Sequence, residues 1–304
     1  MTRTLLTLLL IVGTVTAKAQ QKYTSSRLEI IDITNARRTI VRDFPYVIEA
    51  PNWSKDGRWI VYNSQGKLYK IRSNGKGEPQ PINTSFAENC NNDHVISSKG
   101  RHIAISHHTK EDFQSRIYIV PFAGGTPQLV TPLGPSYLHG WSPDGQELAY
   151  CAQRNGDWNV YVIPASGGEE RQLTTAKGLD DGPEYDPSGK HIWFNSARTG
   201  EMQIWKMKAD GTEQTQMTRD TERNAWFPHV SPDGKTVAYI AYHRRDIAPD
   251  QHLPGYDVDL MVMSSDGRNA PEVLASLFGG QGSMNVNSWA PDSKRLCFVS
   301  YNNK

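Results

Sequence analysis

An excess of charge of one sign, long apolar runs and a cysteine framework are all missing from this sequence. Its 33 Lys and Arg are matched by 32 Asp and Glu, a formal charge of +1, so no overall field draws the chain to nucleic acid or to an anionic surface. Nucleic acid is not an expected partner. Only three cysteines occur, Cys90, Cys151 and Cys297, an odd count with no metal-type spacing, which argues against a disulfide scaffold and against a zinc module. Cys151 and Cys297 fall in apolar strand runs and read as small buried hydrophobes. A G-x-S-x-G nucleophile turn is also absent: Gly140-Trp141-Ser142-Pro143-Asp144 fails at its last position, which removes serine peptidase chemistry.

The one sustained apolar stretch runs from Leu5 to Val15 behind Arg3, and Ala17-Lys18-Ala19 then supplies small residues at signal-peptidase spacing. That stretch is shorter than the roughly 20 residues that span a bilayer. We expect a signal peptide over 1–19, a single domain over 20–304, export to the periplasm or beyond, and no membrane span after cleavage.

What is present is repetition. Trp141-Ser142-Pro143-Asp144-Gly145 has five relatives: Trp53-Ser54-Lys55-Asp56-Gly57, Ile96-Ser97-Ser98-Lys99-Gly100, Tyr185-Asp186-Pro187-Ser188-Gly189, Val230-Ser231-Pro232-Asp233-Gly234 and Trp289-Ala290-Pro291-Asp292-Ser293. Successive copies are separated by 43, 45, 44, 45 and 59 residues, the period of an array of supersecondary units. Ser and Asp bond the amides of a tight turn, Pro presets φ and Gly takes positive φ, so the motif itself carries no chemistry.

Each full repeat reads as four strands, A to D: the aromatic slot on A, then stretches like Glu147–Cys151, Val160–Ile163 and Arg171–Thr174. The N-terminus offers two strands with no turn motif before them, and the chain ends two strands short of a repeat. Pairing the ends closes a ring without an open sheet edge. The expectation is an all-β, six-bladed β-propeller, four antiparallel strands per blade, with the N-terminal strands completing the C-terminal half-blade.

These residues resemble the TolB-like β-propeller family, with its WD-like repeats. The turn motif carries the likeness, together with Ala238-Tyr239-Ile240, Ile204-Trp205-Lys206-Met207-Lys208-Ala209-Asp210-Gly211 and Gln172-Leu173-Thr174 in the D position. The resemblance implies the fold over about residues 27–301. TolB proper, a periplasmic component of an envelope-spanning system, also has an N-terminal α/β domain, and here few residues separate the leader from the first strand. A propeller without that domain is expected, and fold alone does not assign function.

Candidate site residues lie just ahead of strand A. Two positions before the aromatic slot stand Pro51, His94, His139, Pro183, Pro228 and Asn287; one position before stand Asn52, Val95, Gly140, Glu184, His229 and Ser288. Polar groups from these slots are expected to ring the channel mouth, and His94, His139, Glu184 and His229 form a set of the kind that holds a divalent metal ion. The connections ahead of strand A add Asp93, Asp180, Asp181, Trp226, Gln281 and Asn285, a rim rich in Gly, Asn and Asp. The longest spacing places an insertion, His243 to Asp257, between strands B and C of the fifth repeat, where it should overhang that ring. Its Arg244 and Arg245, with Arg154, Arg198 and Trp158 nearby, would suit a carboxylated or phosphorylated ligand.

Two functions follow. One is an exported binding or interaction module that holds a small molecule, glycan fragment or protein partner at the channel mouth. The other is a metal-dependent lyase or hydrolase of acidic carbohydrate. Oligogalacturonate lyases are propellers whose metal is held by several His and a Gln, and His94, His139, His229 with Glu184 or Gln281 are similar in kind. In that reading a bound ion acidifies the proton beside a uronate carboxylate.

Overall fold

The repeated turn folds as its residue types require. In the third copy Ser142 Oγ donates to Asp144 Oδ1 at 2.6 Å and accepts the backbone N–H of Glu147 at 2.9 Å. Gly145 closes that turn at φ 76°, a conformation that a Cβ penalises. The aromatic slot then ties one blade to the next: Trp141 Nε1 donates to the Val95 carbonyl at 3.0 Å, and Trp289 Nε1 to the His229 carbonyl at 2.9 Å.

The computed structural model describes residues 23–303, so the expected leader over 1–19 lies outside the described residues. Five antiparallel sheets each run in the order A to D. Their innermost strands are Glu49–Trp53, Cys90–Ile96, Ser136–Trp141, Asp180–Tyr185 and Arg223–Val230. The sixth sheet joins Arg38–Phe44, Tyr23–Asp32 and Arg295–Asn303, and an isolated bridge from Trp289 to Leu296 stands where its strand A would be. The N-terminal strand is therefore strand C of the last blade. Its ladder runs from Tyr23 opposite Asn303 to Asp32 opposite Arg295. Inside that seam the buried Glu29 accepts Arg38 through both oxygens, at 2.6 and 2.9 Å, and the Ser300 hydroxyl at 2.7 Å. The expected six-bladed ring with complementary ends is what the chain forms, and among the described residues strands are its regular elements.

Blades stack face to face, which is why strand B is buried on both sides: Leu148 to Ala152 is a continuous buried run. Clusters therefore cross from blade to blade. Ala149, Val160 and Val162 of the third blade pack with Ile192, Phe194 and Met207 of the fourth. Each of these buried Val, Ile, Phe and Met side chains contributes roughly 1.5–3 kcal/mol.

The innermost strands are not regular. A register shift interrupts each of the five pairings between strands A and B, at Glu49/Asn52, Cys90/His94, Leu138/Gly140, Asp181/Glu184 and Trp226/His229. Ala50 at φ 53°, Gly182 at φ 64° and Phe227 at φ 57° sit in three of these bulges. A bulge re-aims the side chains beyond it. Groups ahead of the bulge and groups behind it consequently serve opposite ends of the channel.

The insertion is shorter as a loop than the sequence implies. Strand C of the fifth blade already begins at Pro254 and strand D continues to Gly280, leaving residues 244–253 as the connecting loop. Added backbone pairing takes up the rest, from Pro254 opposite Gly280 to Val262 opposite Glu272.

Candidate functional site

A cavity of about 580 Å³ opens at the channel mouth away from the repeated turns. A smaller one of about 240 Å³ lies at the turn end, beside Ser54, Lys55, Pro143 and Pro291. His139 lines both and forms part of the wall between them.

The floor of the larger cavity is a cluster of carboxyl and imidazole groups. His139 Nε2 lies 3.0 Å from Asp181 Oδ1, which also accepts the Gly182 N–H at 2.7 Å. Burial alone would lower the His139 imidazole, but the Asp181 carboxylate, with Asp93 behind it, outweighs burial and holds the ring above its ordinary value. Asp181 is buried, yet His139 and then His252 hold its carboxyl well below the usual range. The pair is an ion pair.

Asp93 and Glu49 behave oppositely. Burial pushes Asp93 up to about 6, with Asp181 adding to the rise and His139 and Asn91 opposing it. Burial, then the charge of Asp93, pushes Glu49 up to about 7. Two carboxyls titrating near neutrality in one concave site mark it as a functional candidate. Cys151 also lines the cavity, but burial, then Asp181, pushes its thiol well above the ordinary value. It is no nucleophile at neutral pH.

Aromatic rings supply the walls. Tyr137 and Trp158 line the cavity with ring centroids 5.8 Å apart, and the Tyr137 hydroxyl meets His108 Nε2 at 3.4 Å. Phe227 stacks on His139 at 5.8 Å. The insertion reaches over as expected: His252 packs on Trp226 at 4.4 Å and edge-on to Phe227 at 5.2 Å, and Asp250 joins it at the mouth.

The turn end of the channel is held by a belt of polar groups between blades. Glu184 Oε2 lies 2.7 Å from His229 Nδ1, and Oε1 accepts the Val230 N–H at 3.1 Å and the Asn287 amide at 2.6 Å. His229 Nε2 meets the Met284 carbonyl at 3.3 Å. Asn52 donates to the Asn287 carbonyl at 2.5 Å and accepts the Ile96 N–H at 2.8 Å. Every polar side-chain atom of Glu184 and His229 is thus engaged in joining blades four, five and six.

The sequence-predicted residues therefore divide. Asp93, His139, Asp181, Gln281 and Asn285 line the larger cavity, and Trp226, fully buried, backs it through His252. Asn52, Glu184 and Asn287 line the smaller one, and His229 is bonded to Glu184 beside them. His94 lines neither; it is fully buried, neither ring nitrogen is hydrogen-bonded, and burial pushes its imidazole down to about 4. His94, His139, Glu184 and His229 are not brought together, and among the described residues no three or more His, Cys, Asp or Glu converge as a metal would require.

No expected arginine lines the larger cavity. Asp180 is fully buried and bonded to Arg198 at 2.8 Å, Arg154 pairs with Glu170 at 2.6 Å, and Arg244 with Glu201. Arg245 is exposed beside Asp246.

Sequence reasoning missed Glu49, Tyr137, Phe227 and His252. A signal for the first two exists in the repeat. Four positions before the aromatic slot stand Glu49, Asn92, Tyr137, Asp181, Trp226 and Asn285, and all of these except Trp226 line the cavity, where Phe227 replaces it. The informative slot lies ahead of the bulge, two to three residues earlier than the slots singled out from the sequence.

Comparison with known proteins agrees with this architecture. The TolB beta propeller domain family matches residues 96–254. An uncharacterized protein of Agrobacterium fabrum is 43% identical over 277 residues, covering 91% of this chain and 92% of the relative. The solved structure of a TolB candidate from Agrobacterium tumefaciens superposes with a TM-score of 0.87 at 42% identity, over 92% of this chain and 99% of that one. TolB from Acinetobacter baumannii, at 18% identity and a TM-score of 0.64 over 85% of this chain and 65% of its own, shares the fold.

Proposed function

We propose that this chain, which belongs to the TolB β-propeller family, is a binding module that holds a small polar ligand in the larger channel-mouth cavity. One observation carries the reading: all six blades and the insertion send side chains into a single concave space of about 580 Å³, within the roughly 300–1,000 Å³ typical of small-molecule sites. A wet channel filled by chance would not gather buried carboxyls, an ion pair and a wall of rings at one end.

The leader expected over residues 1–19 supports export, so the ligand would be met in the periplasm or outside the cell. Among the described residues no helix is long and apolar enough to cross a membrane. The metal-dependent lyase reading has less support, because Glu184 and His229 spend their polar atoms on the belt and no arginine stands by the cavity to take a uronate.

Saturation-transfer NMR with mixtures of small polar metabolites tests the reading. Hits with the wild-type protein should vanish with Trp158→Ala and persist with Lys55→Ala at the opposite mouth. Hits that survive Trp158→Ala and vanish with Lys55→Ala would place binding elsewhere and sink it.

A further inference from the structure

We propose that the ligand is an organic cation, an amine or a quaternary ammonium, held by the carboxylates of Glu49 and Asp93 and packed against the rings of Tyr137 and Trp158. This rests on the cavity being a binding site, and it names the chemical class.

The lining contains Glu49, Asp93, Asp181 and Asp250 and no Lys or Arg. Asp181 is already neutralised by His139 at 3.0 Å. Asp93 has the Asn91 amide at 2.5 Å, a neutral donor, and no described residue donates to the Glu49 carboxylate. Asp93 is buried and Glu49 partly so; carboxylates taken out of water without a cation are costly, and the cost is relieved when a charged donor arrives. What separates these carboxyls from an acidic surface patch is the concave wall beside them, where Tyr137 and Trp158 line the same cavity with ring centroids 5.8 Å apart.

The rings decide between kinds of cation. A metal ion needs several oxygen or nitrogen ligands at bonding distance, and the described residues gather no such set. Aromatic faces beside carboxylates instead suit an ammonium group on an organic skeleton, which gains both ion pairing and cation–π attraction. An anionic ligand would meet like charge from every acidic group in the lining.

Protonation supports the same choice. Glu49 faces Asp93, Tyr23 and Tyr301, and Asp93 faces Asp181, Tyr137 and the imidazolium of His139. With Glu49 raised to about 7 and Asp93 to about 6, the empty cavity is partly protonated at neutral pH. A bound cation keeps both ionised, so binding releases protons and tightens as pH rises through that range.

Three probes of one shape test the inference on the full chain: phenethylamine, 2-phenylethanol and phenylacetate, titrated by calorimetry at about pH 7.5 and again near pH 5.5. The expected result is that phenethylamine binds at least about tenfold more tightly than either isostere, that its affinity falls at the lower pH, and that Asp93→Asn and Glu49→Gln each cost about tenfold. Its apparent enthalpy should differ between phosphate and Tris by the released proton. If 2-phenylethanol or phenylacetate binds as well as the amine and Trp158→Ala abolishes that binding, the cavity remains a binding site and the cation is overturned. If none of the three binds the folded wild-type protein, both readings fall.

Discussion

Glu184 Oε2 lies 2.7 Å from His229 Nδ1, and the same carboxylate bonds the Val230 N–H and the Asn287 amide. One carboxylate thus fastens three blades at the turn end of the channel. Removing that carboxylate leaves its buried donors unsatisfied, and each buried unpaired polar group costs about 1–3 kcal/mol. Glu184→Ala should lower stability by that order and Tm by roughly 2–4 °C for each kcal/mol, while leaving ligand affinity at the opposite mouth nearly unchanged. Thermal unfolding with a binding titration on the same variant checks both.

The upper cluster makes stability fall with rising pH. Glu49 rises from 4.5 to about 7 and Asp93 from 3.8 to about 6, burial being the first cause in each. The folded state therefore keeps protons that the unfolded chain gives up. That stabilisation is complete below the unfolded values and is lost as pH climbs through about 6 to 7. His139, held above its ordinary value, adds a contribution of the same sign. Tm should be higher near pH 5.5 than near pH 8, and Glu49→Gln should flatten that slope; a Tm that rises between those values would contradict the assignment.

Ring closure predicts tolerance of new termini. Tyr23 stands opposite Asn303 in the closing ladder, so a short linker can join them. Gly200 sits at a B-to-C turn with open space where a Cβ would point, a suitable place for a new break. A permutant opened there should unfold cooperatively with a Tm near that of the parent. Deleting Leu296 to the end removes strand B of the sixth blade and should abolish cooperative unfolding.

The insertion should act as a cover. His252 packs on Trp226 and Phe227, so His252→Ala exposes the indole and loosens residues 244–253. Ligand dissociation should speed up several-fold while Tm changes by no more than about 2–4 °C, which stopped-flow fluorescence of the cavity tryptophans would read.

The fold was legible because its signal repeats. Six turn motifs at near-constant spacing, with two unmatched strands at each end, specify six blades and their closure without help from tertiary contacts. The site was legible only in part. Asp93, His139, Asp181, Gln281 and Asn285 line the larger cavity, yet the slots one and two residues before the aromatic led mainly to the belt of Asn52, Glu184, His229 and Asn287. The cause is the bulge in strand A, as at Asp181/Glu184, which breaks the two-residue alternation that reading from sequence assumes. His252 could not be found that way, since its place depends on a loop folding back onto another strand. Arg154 and Arg198 misled for a different reason: their partners Glu170 and Asp180 are neighbours only once the sheets have formed.

The most direct test is a crystal structure of the protein with a ligand identified by NMR screening. The account predicts that ligand between Trp158 and His252, over the His139–Asp181 pair and within reach of Glu49 and Asp93. A ligand seated instead beside Lys55 and the repeated turns, with the larger cavity holding only water, would contradict it.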